Sequence, residues 1–361
     1  MSQPSLAILW ADPQRKIDFE QWLLGIAHAH HLQPATLCAA SADASFRRYF
    51  RILGTGNSYI IMDAPPDKEN SQAFVDVDKL MQGAGLLVPQ VLDWHKAHGF
   101  MLLTDLGTQT MLDVIDPHDT YAHTSSSVSK NLPLYEQALD ALIAWQLASK
   151  PNVLPPYDEA LLRRELQLFP DWYIAQHRGL TLGTAQQATL DKAFDLIVQH
   201  NLQSPNVYVH RDFMPRNLMM PYAALRTSAA LAQQLGVLDF QDAVYGPITY
   251  DIASLMRDAF LSWEEDFVMD VTIRYWQKAK QASLPMLGEW KHDFGEFYKA
   301  VEWMGLQRHL KILGIFARLT LRDGKPKYLA DTPRFIAYVR ATCSRYIQLK
   351  PLLRLMDEIE K

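Results

Sequence analysis

Cysteine is almost missing from this chain. Cys38 and Cys343 are the only two in 361 residues and lie far apart, so neither a disulfide framework nor a cysteine-built zinc site can be assembled. A reducing cytoplasm is the expected compartment. Long apolar runs are missing too: no stretch suffices to span a bilayer, and the opening MSQPSLAILWADPQRK has no basic region ahead of its brief apolar segment, so neither membrane insertion nor export is expected. Nor is there an excess of positive charge. Lys and Arg number 35 against 40 Asp and Glu, spread along the chain, which argues against an extended surface for nucleic acid phosphates. What is present is apolar material: 48% of the residues are hydrophobic, and the length suffices for two or three lobes, each with its own core.

Residues Lys16 to Leu32 place Phe19, Trp22, Leu23 and Ile26 at helical spacing behind an Asp12-Pro13 turn, which predicts an opening helix. Three segments rich in strand formers follow, Ala35 to Ala40, Phe46 to Leu53 and Tyr59 to Asp63, the last two joined by a turn at Gly54 to Asn57. A helix is predicted from Asn70 to Gln82, and further strands at Gln90 to Trp94 and Phe100 to Thr104. Residues 1–104 are thus expected to form a small lobe with a five-stranded antiparallel sheet and one inserted helix. Residues 105–361 read as mainly helical, with helices at Leu134 to Ser149, Asp158 to His177 and Ala185 to His200 and again after Tyr250. Two short apolar strands interrupt them, Asn206 to Val209 and Leu235 to Leu238, separated by a loop with a short helix at Pro221 to Gln234. The serine-rich stretch Thr124 to Lys130 reads as a connection. The expected fold class is α+β, in two lobes.

Chemistry is concentrated after the first of those late strands. VHRDFMPRNLM presents His210-x-Asp212-x4-Asn217, the spacing of a kinase catalytic loop, in which the aspartate faces the acceptor hydroxyl and the asparagine binds magnesium. Asp239 follows the second strand, where a second metal carboxylate is required. The bland alternative is that both motifs are turns, since Asp and Asn side chains bond nearby backbone. Order, spacing and preceding strands together favour phosphoryl transfer.

These residues also resemble a known family. HRDFMPRN followed by VLDFQDAVYGPITYDIASL is similar to the aminoglycoside phosphotransferase and choline kinase superfamily over most of the chain, which implies a protein-kinase-like fold of two lobes with ATP between them. SFRRYFR, MDAPP, HRDFMPRNLM, LDFQDAVYGPITYD and QRHLKILGIFARL together resemble the bacterial anomeric kinases of N-acetylmuramate and N-acetylglucosamine in cell-wall recycling. The resemblance implies Asp212 as catalytic base, His210 as support of its loop, Asn217 and Asp239 as magnesium ligands, and adenine contacts from the backbone of Thr104, Asp105 and Leu106. Asp251, at a helix start, reads as an anchor that caps backbone donors or holds the catalytic loop. Asp242 either approaches metal or substrate or bonds its own turn.

The chain departs from protein kinases at the phosphates. Ser41-Ala-Asp-Ala-Ser45 has no glycine where a glycine-rich loop belongs, and the third strand, Tyr59 to Asp63, has no lysine. Arg47 and Arg48 are the nearest replacements, although each could equally be a solvated strand residue. Strand neighbours point to opposite faces, and Arg48 shares parity with Phe46, Phe50 and Ile52, the set expected to face inward, so Arg48 is favoured. For the acceptor, Gln307 to Arg322 reads as a helix with Lys311, Ile315, Arg318 and Arg322 on nearly one face, a basic stripe that is either solvated or holds a substrate carboxylate, with Arg308 and Lys311 as the candidates for that contact. Glu165, Phe169, Trp172 and Tyr173 have the mix expected of a sugar wall, or of a core. ATP, magnesium and a small amino sugar are the expected ligands, with neither nucleic acid nor membrane as partner and protein partners left open. An aminoglycoside, choline or other small-alcohol kinase is the enzyme alternative, and a nucleotide-binding pseudokinase the non-enzyme one.

Overall fold

The computed structural model of the chain describes residues 8–41, 46–119, 129–222 and 234–361. The glycine-free loop at 42–45, most of the serine-rich stretch (124–128) and most of the loop expected at 221–234 (223–233) lie outside the described residues. Two compact units form: Met1–Thr110 with Leu218–Asp242, and Met111–Asn217 with Ala243–Lys361.

In the first unit, helix α1 (Pro13–Ala27) starts where the Asp12 carboxylate accepts the Gln14 N–H at 2.9 Å and proline occupies the first turn. Strands β1 (Cys38–Ser41), β2 (Arg48–Leu53), β3 (Ser58–Asp63), β4 (Val91–His95) and β5 (Phe100–Thr104) form an antiparallel sheet in the order β1-β2-β3-β5-β4. The strand expected from Ala35 begins only at Cys38, because Pro34 opens a turn of 3-10 helix instead. Register sets the faces: Phe50 lies opposite Ile61, and both pack with Ile52, Phe100 and Leu102 against Phe19, Trp22 and Leu23 of α1. Helix α2 (Ser71–Gly83) follows, N-capped by Asn70. The sequence-based division at residue 104 placed 218–242 with the helices. Instead this segment joins the first unit, because β6 (Gln109–Thr110) pairs with β8 (Leu218–Met220), and β8 with β9 (Gly236–Val237).

The second unit contains α3 (Met111–Val114), α4 (Leu132–Leu147), α5 (Glu159–Leu168), α6 (Thr184–Leu202), α7 (Thr249–Met256), α8 (Glu265–Gln281), α9 (Phe294–Leu321), α10 (Thr332–Arg345) and α11 (Lys350–Ile359), with β7 (Asn206–Val209) antiparallel to β10 (Val244–Pro247). Helix α9, buried along most of its length, is the axle against which α5, α6, α7 and α10 pack. The single helix expected over Asp158 to His177 changes character: after α5, Phe169–His177 is a π-helix, closed by the Arg178 N–H on the Tyr173 carbonyl at 2.9 Å. Pro170 lacks the N–H that a regular α-helical turn requires there. Among the described residues no helix is long and apolar enough to cross a membrane.

Candidate active site

Strand β7 is an apolar run whose consecutive Val207, Tyr208 and Val209 are all buried, as in a strand covered on both faces, and it delivers His210 to Asn217 at its end. His210 is fully buried, and its Nδ1 accepts the Asp212 N–H at 3.2 Å, so the ring folds back under the loop. Asp251 of α7 accepts the backbone N–H of His210 at 2.7 Å and of Arg211 at 3.0 Å. Burial pushes the Asp251 carboxyl above its ordinary range, with His210 and these two N–H donors pulling the other way. The Asn217 amide nitrogen donates to the Asp212 carbonyl at 2.8 Å, which orients the amide and closes the loop on itself. Arg211 sits at φ 76°, a left-handed conformation rare for a side-chain-bearing residue. The half-buried Asp212 carboxylate is therefore carried on a backbone tied down on both sides.

In the first unit Asp239 follows β9 at φ 63°, and its Oδ1 accepts the Gln241 Nε2–H at 2.8 Å. The next residue, Phe240, is fully buried and stacks on Phe74 of α2 at 4.8 Å. That aromatic anchor sets where Asp239 leaves the strand.

Residues 36–287 match the phosphotransferase enzyme family. The chain belongs to that family. It is 48% identical to the N-acetylmuramate/N-acetylglucosamine kinase of Pseudomonas aeruginosa (90% of this chain, 89% of that protein), 46% to that of Pseudomonas putida (90% and 88%) and 43% to that of Neisseria meningitidis (96% and 96%). The fold is that of kinase-like solved structures: ADP-bound aminoglycoside phosphotransferase APH(2'')-Ib, with a TM-score of 0.56 at 13% identity (91% of this chain, 97% of that one), and Plasmodium vivax ethanolamine kinase, with 0.58 at 8% identity (93% and 91%).

Several residues of this phosphotransferase stand elsewhere than their spacing suggested. Arg48 does share the face of Phe50 and Ile52, but that face meets α1, and Phe46 is 62% exposed. The Arg48 guanidinium is committed to the buried Asp63 carboxylate, to the Leu9 carbonyl at 3.0 Å and to the Trp10 ring at 4.1 Å, and Arg15 of α1 holds the other oxygen of Asp63. Arg47, on the opposite parity, is buried and pairs with Glu69 at 3.0 Å, just ahead of α2. Arg51, also of that parity, is bound by Asp105 at 2.6 Å and by the Gly107 carbonyl at 2.8 Å. Thr104 bonds Gln90 through its N–H at 3.0 Å, and the Leu106 carbonyl accepts from Tyr222 at 3.2 Å. The Asp105 side chain is committed to Arg51, Ser58 and the Gly107 N–H.

The expected sugar wall is mostly interior. Phe169 and Tyr173 are 0% and 1% exposed and stack on each other, with the Tyr173 hydroxyl donating to Glu360 at 2.8 Å. They have no surface for a sugar, because the π-helix turns both rings into the core; Trp172 alone of the aromatic set is half-exposed. Glu165 is buried and accepts from Arg211 Nη2 at 2.6 Å, Lys311 Nζ at 2.8 Å and the Tyr157 hydroxyl. Burial alone would raise the Glu165 carboxyl, but Lys311 and Arg211 hold it down to about 2. The expected basic stripe divides: Arg322 is exposed, whereas Lys311 also reaches the Tyr250 hydroxyl at 3.2 Å, and Arg308, 3% exposed, donates to the Arg211 carbonyl at 3.1 Å. Asp242 is exposed. Tyr157, Tyr250 and Arg211 escaped sequence reasoning as members of this cluster; only Arg211, inside the motif, carried a signal.

Proposed function

We propose that the chain transfers the γ-phosphate of ATP, with magnesium, to the anomeric hydroxyl of N-acetylmuramate and N-acetylglucosamine, in cytoplasmic recycling of peptidoglycan. The observation that carries this reading is the activity named for the three relatives, which are 43–48% identical over 90–96% of this chain. The site geometry supports it from the chemical side. Asp212, an acceptor-only side chain on an immobilised loop, takes or orients the proton of the attacking hydroxyl, a contribution typically worth ~10²–10⁴ in rate. Asn217 and Asp239 supply hard oxygen donors of the kind magnesium takes. Magnesium bound by one or two protein ligands would complete its shell with phosphate oxygens and water. Bound there, magnesium would neutralise charge on the transferring phosphates. Arg47 rather than Arg48 is the side chain we assign to the phosphates: Arg48 is locked between Asp63, the Leu9 carbonyl and the Trp10 ring, whereas Arg47 pairs with the Glu69 carboxylate, 16% exposed, which it can exchange for phosphate. The backbone of 104–106 is assigned to adenine. Trp172 remains as the aromatic face for the sugar ring.

The deciding experiment is ADP release with ATP and magnesium against N-acetylmuramate, N-acetylglucosamine, kanamycin and choline, beside Asp212→Asn. Turnover on the amino sugars, lost in the variant and giving an acid-labile, alkali-stable phosphate, is the expected result. Turnover confined to kanamycin or choline would keep the chemistry and reject the substrate. ATP binding without turnover would reject the kinase.

A further inference from the structure

We propose that Glu165 and Lys311 form a buried charge pair that sets the pose of Asp212 through Arg211, which makes them positioning residues for the transfer rather than contacts of the sugar. This rests on the reading of Asp212 as the group facing the acceptor hydroxyl. Arg211 is the residue on which the pose turns. It immediately precedes Asp212, and its left-handed backbone at φ 76° is a conformation that persists only where the surroundings enforce it. Three separate elements do so. Asp251 of α7 takes its N–H at 3.0 Å, Arg308 of α9 donates to its carbonyl at 3.1 Å, and Glu165 of α5 takes its guanidinium at 2.6 Å.

Glu165 in turn is held from both sides. Lys311 reaches its Oε1 at 2.8 Å, and the Tyr157 hydroxyl donates to its Oε2. Three donors leave little of a carboxylate's accepting capacity for a sugar hydroxyl, and the side chain is only 5% exposed. The Tyr250 ring closes the cluster, with Arg308 at 4.9 Å and Lys311 at 5.9 Å over it and the Tyr157 ring edge-on at 5.3 Å. Both Arg211 and Lys311 also feel the charge of Asp212, so two carboxylates balance two cations across the loop. Helix α5 cannot drift from α9 to relax the pair, because Gln307 of α9 donates to the Leu162 carbonyl at 3.0 Å and Gly314 lies against the Leu168 carbonyl.

The test combines steady-state kinetics with amide hydrogen exchange across residues 209–213. Glu165→Gln keeps the volume and removes the charge. Its kcat is expected to fall about 10- to 100-fold, as for a misplaced reacting group, with both KM values within about threefold and faster exchange at His210 and Arg211. Lys311→Arg should retain most of the kcat that Lys311→Met loses. A sugar KM raised more than tenfold with kcat kept would put Glu165 on the substrate and overturn the proposal. An unchanged kcat with only a lower Tm would overturn it equally, since the pair would then support the fold alone. Should Glu165→Gln not fold, Tyr157→Phe removes one of the three donors at nearly constant volume, and a kcat loss of about threefold with faster loop exchange is expected. If the wild-type protein phosphorylates none of the amino sugars, the functional reading fails, while exchange in Tyr157→Phe against wild type still decides whether the pair holds the loop.

Discussion

Arg47 and Arg48 are adjacent and identical in chemistry, yet Arg47 stands just ahead of β2 and pairs with Glu69, whereas Arg48 opens the strand and pairs with Asp63. Arg48 shares the fully buried Asp63 with Arg15, so Arg48→Ala leaves that carboxylate with one cation and should destabilise the fold by about 1–3 kcal/mol, with the KM for ATP within about threefold. Arg47→Ala should raise the KM for ATP about tenfold and leave the sugar KM alone, as expected for loss of a charge-assisted contact to phosphate. Denaturant unfolding and ATP titration of the two variants separate these roles, and the reverse pattern would exchange them. The parity argument put Arg48 on the face of Phe50 and Ile52; it could not say that this face belongs to α1, because that depends on which element covers the sheet.

At the scale of elements, the catalytic loop depends on helices remote in sequence. Gly314 shows how closely α9 approaches the end of α5: a Cβ built there would stand 2.3 Å from the Leu168 carbonyl, against backbone that cannot swing away as a side chain would. Gly314→Ala should therefore destabilise the protein by about 1–3 kcal/mol in urea unfolding, the range of an overpacked core. Because α5 carries Glu165, kcat should fall with it. A variant as stable and as active as wild type would mean that α5 and α9 can separate at no consequence to the loop. The helix-period pattern was sufficient to predict these helices, and Asp251 was recognised as an anchor from its place at a helix start. The same pattern overran the change to a π-helix at Phe169, where side-chain directions rotate and Phe169 and Tyr173 turn into the core.

For the molecule as a whole, pH will act on stability through buried acids. Asp78 of α2 is 2% exposed, receives one hydrogen bond from Gln82 at 2.7 Å, and is pushed by burial up to about 6. The folded chain thus binds a proton there that the unfolded chain has released, so stability from this group is present at acid pH and declines as pH rises toward 6. Asp78→Asn mimics the protonated form and should raise Tm more at pH 7.5 than at pH 4.5. An equal gain at both values would show that its charge is not what matters.

Local pattern alone was enough for the opening helix, the five-stranded sheet, the helical remainder and the spacing of His210, Asp212, Asn217 and Asp239, because strand alternation, helical periodicity and loop motifs are written within a few residues of one another. Fold assembly assigned the rest. Residues 218–242 join the first unit through strand pairing between β6 and β8, more than a hundred residues apart, and no local signal encodes such a partner. Periodicity likewise puts Arg308 and Lys311 on α9 without saying what that helix meets. A charge on a helix is solvated by default, and only the arrival of Glu165, Tyr157 and Tyr250 from other elements makes its burial favourable, since an ion can leave water only where opposite charge and hydrogen bonds replace the water it loses.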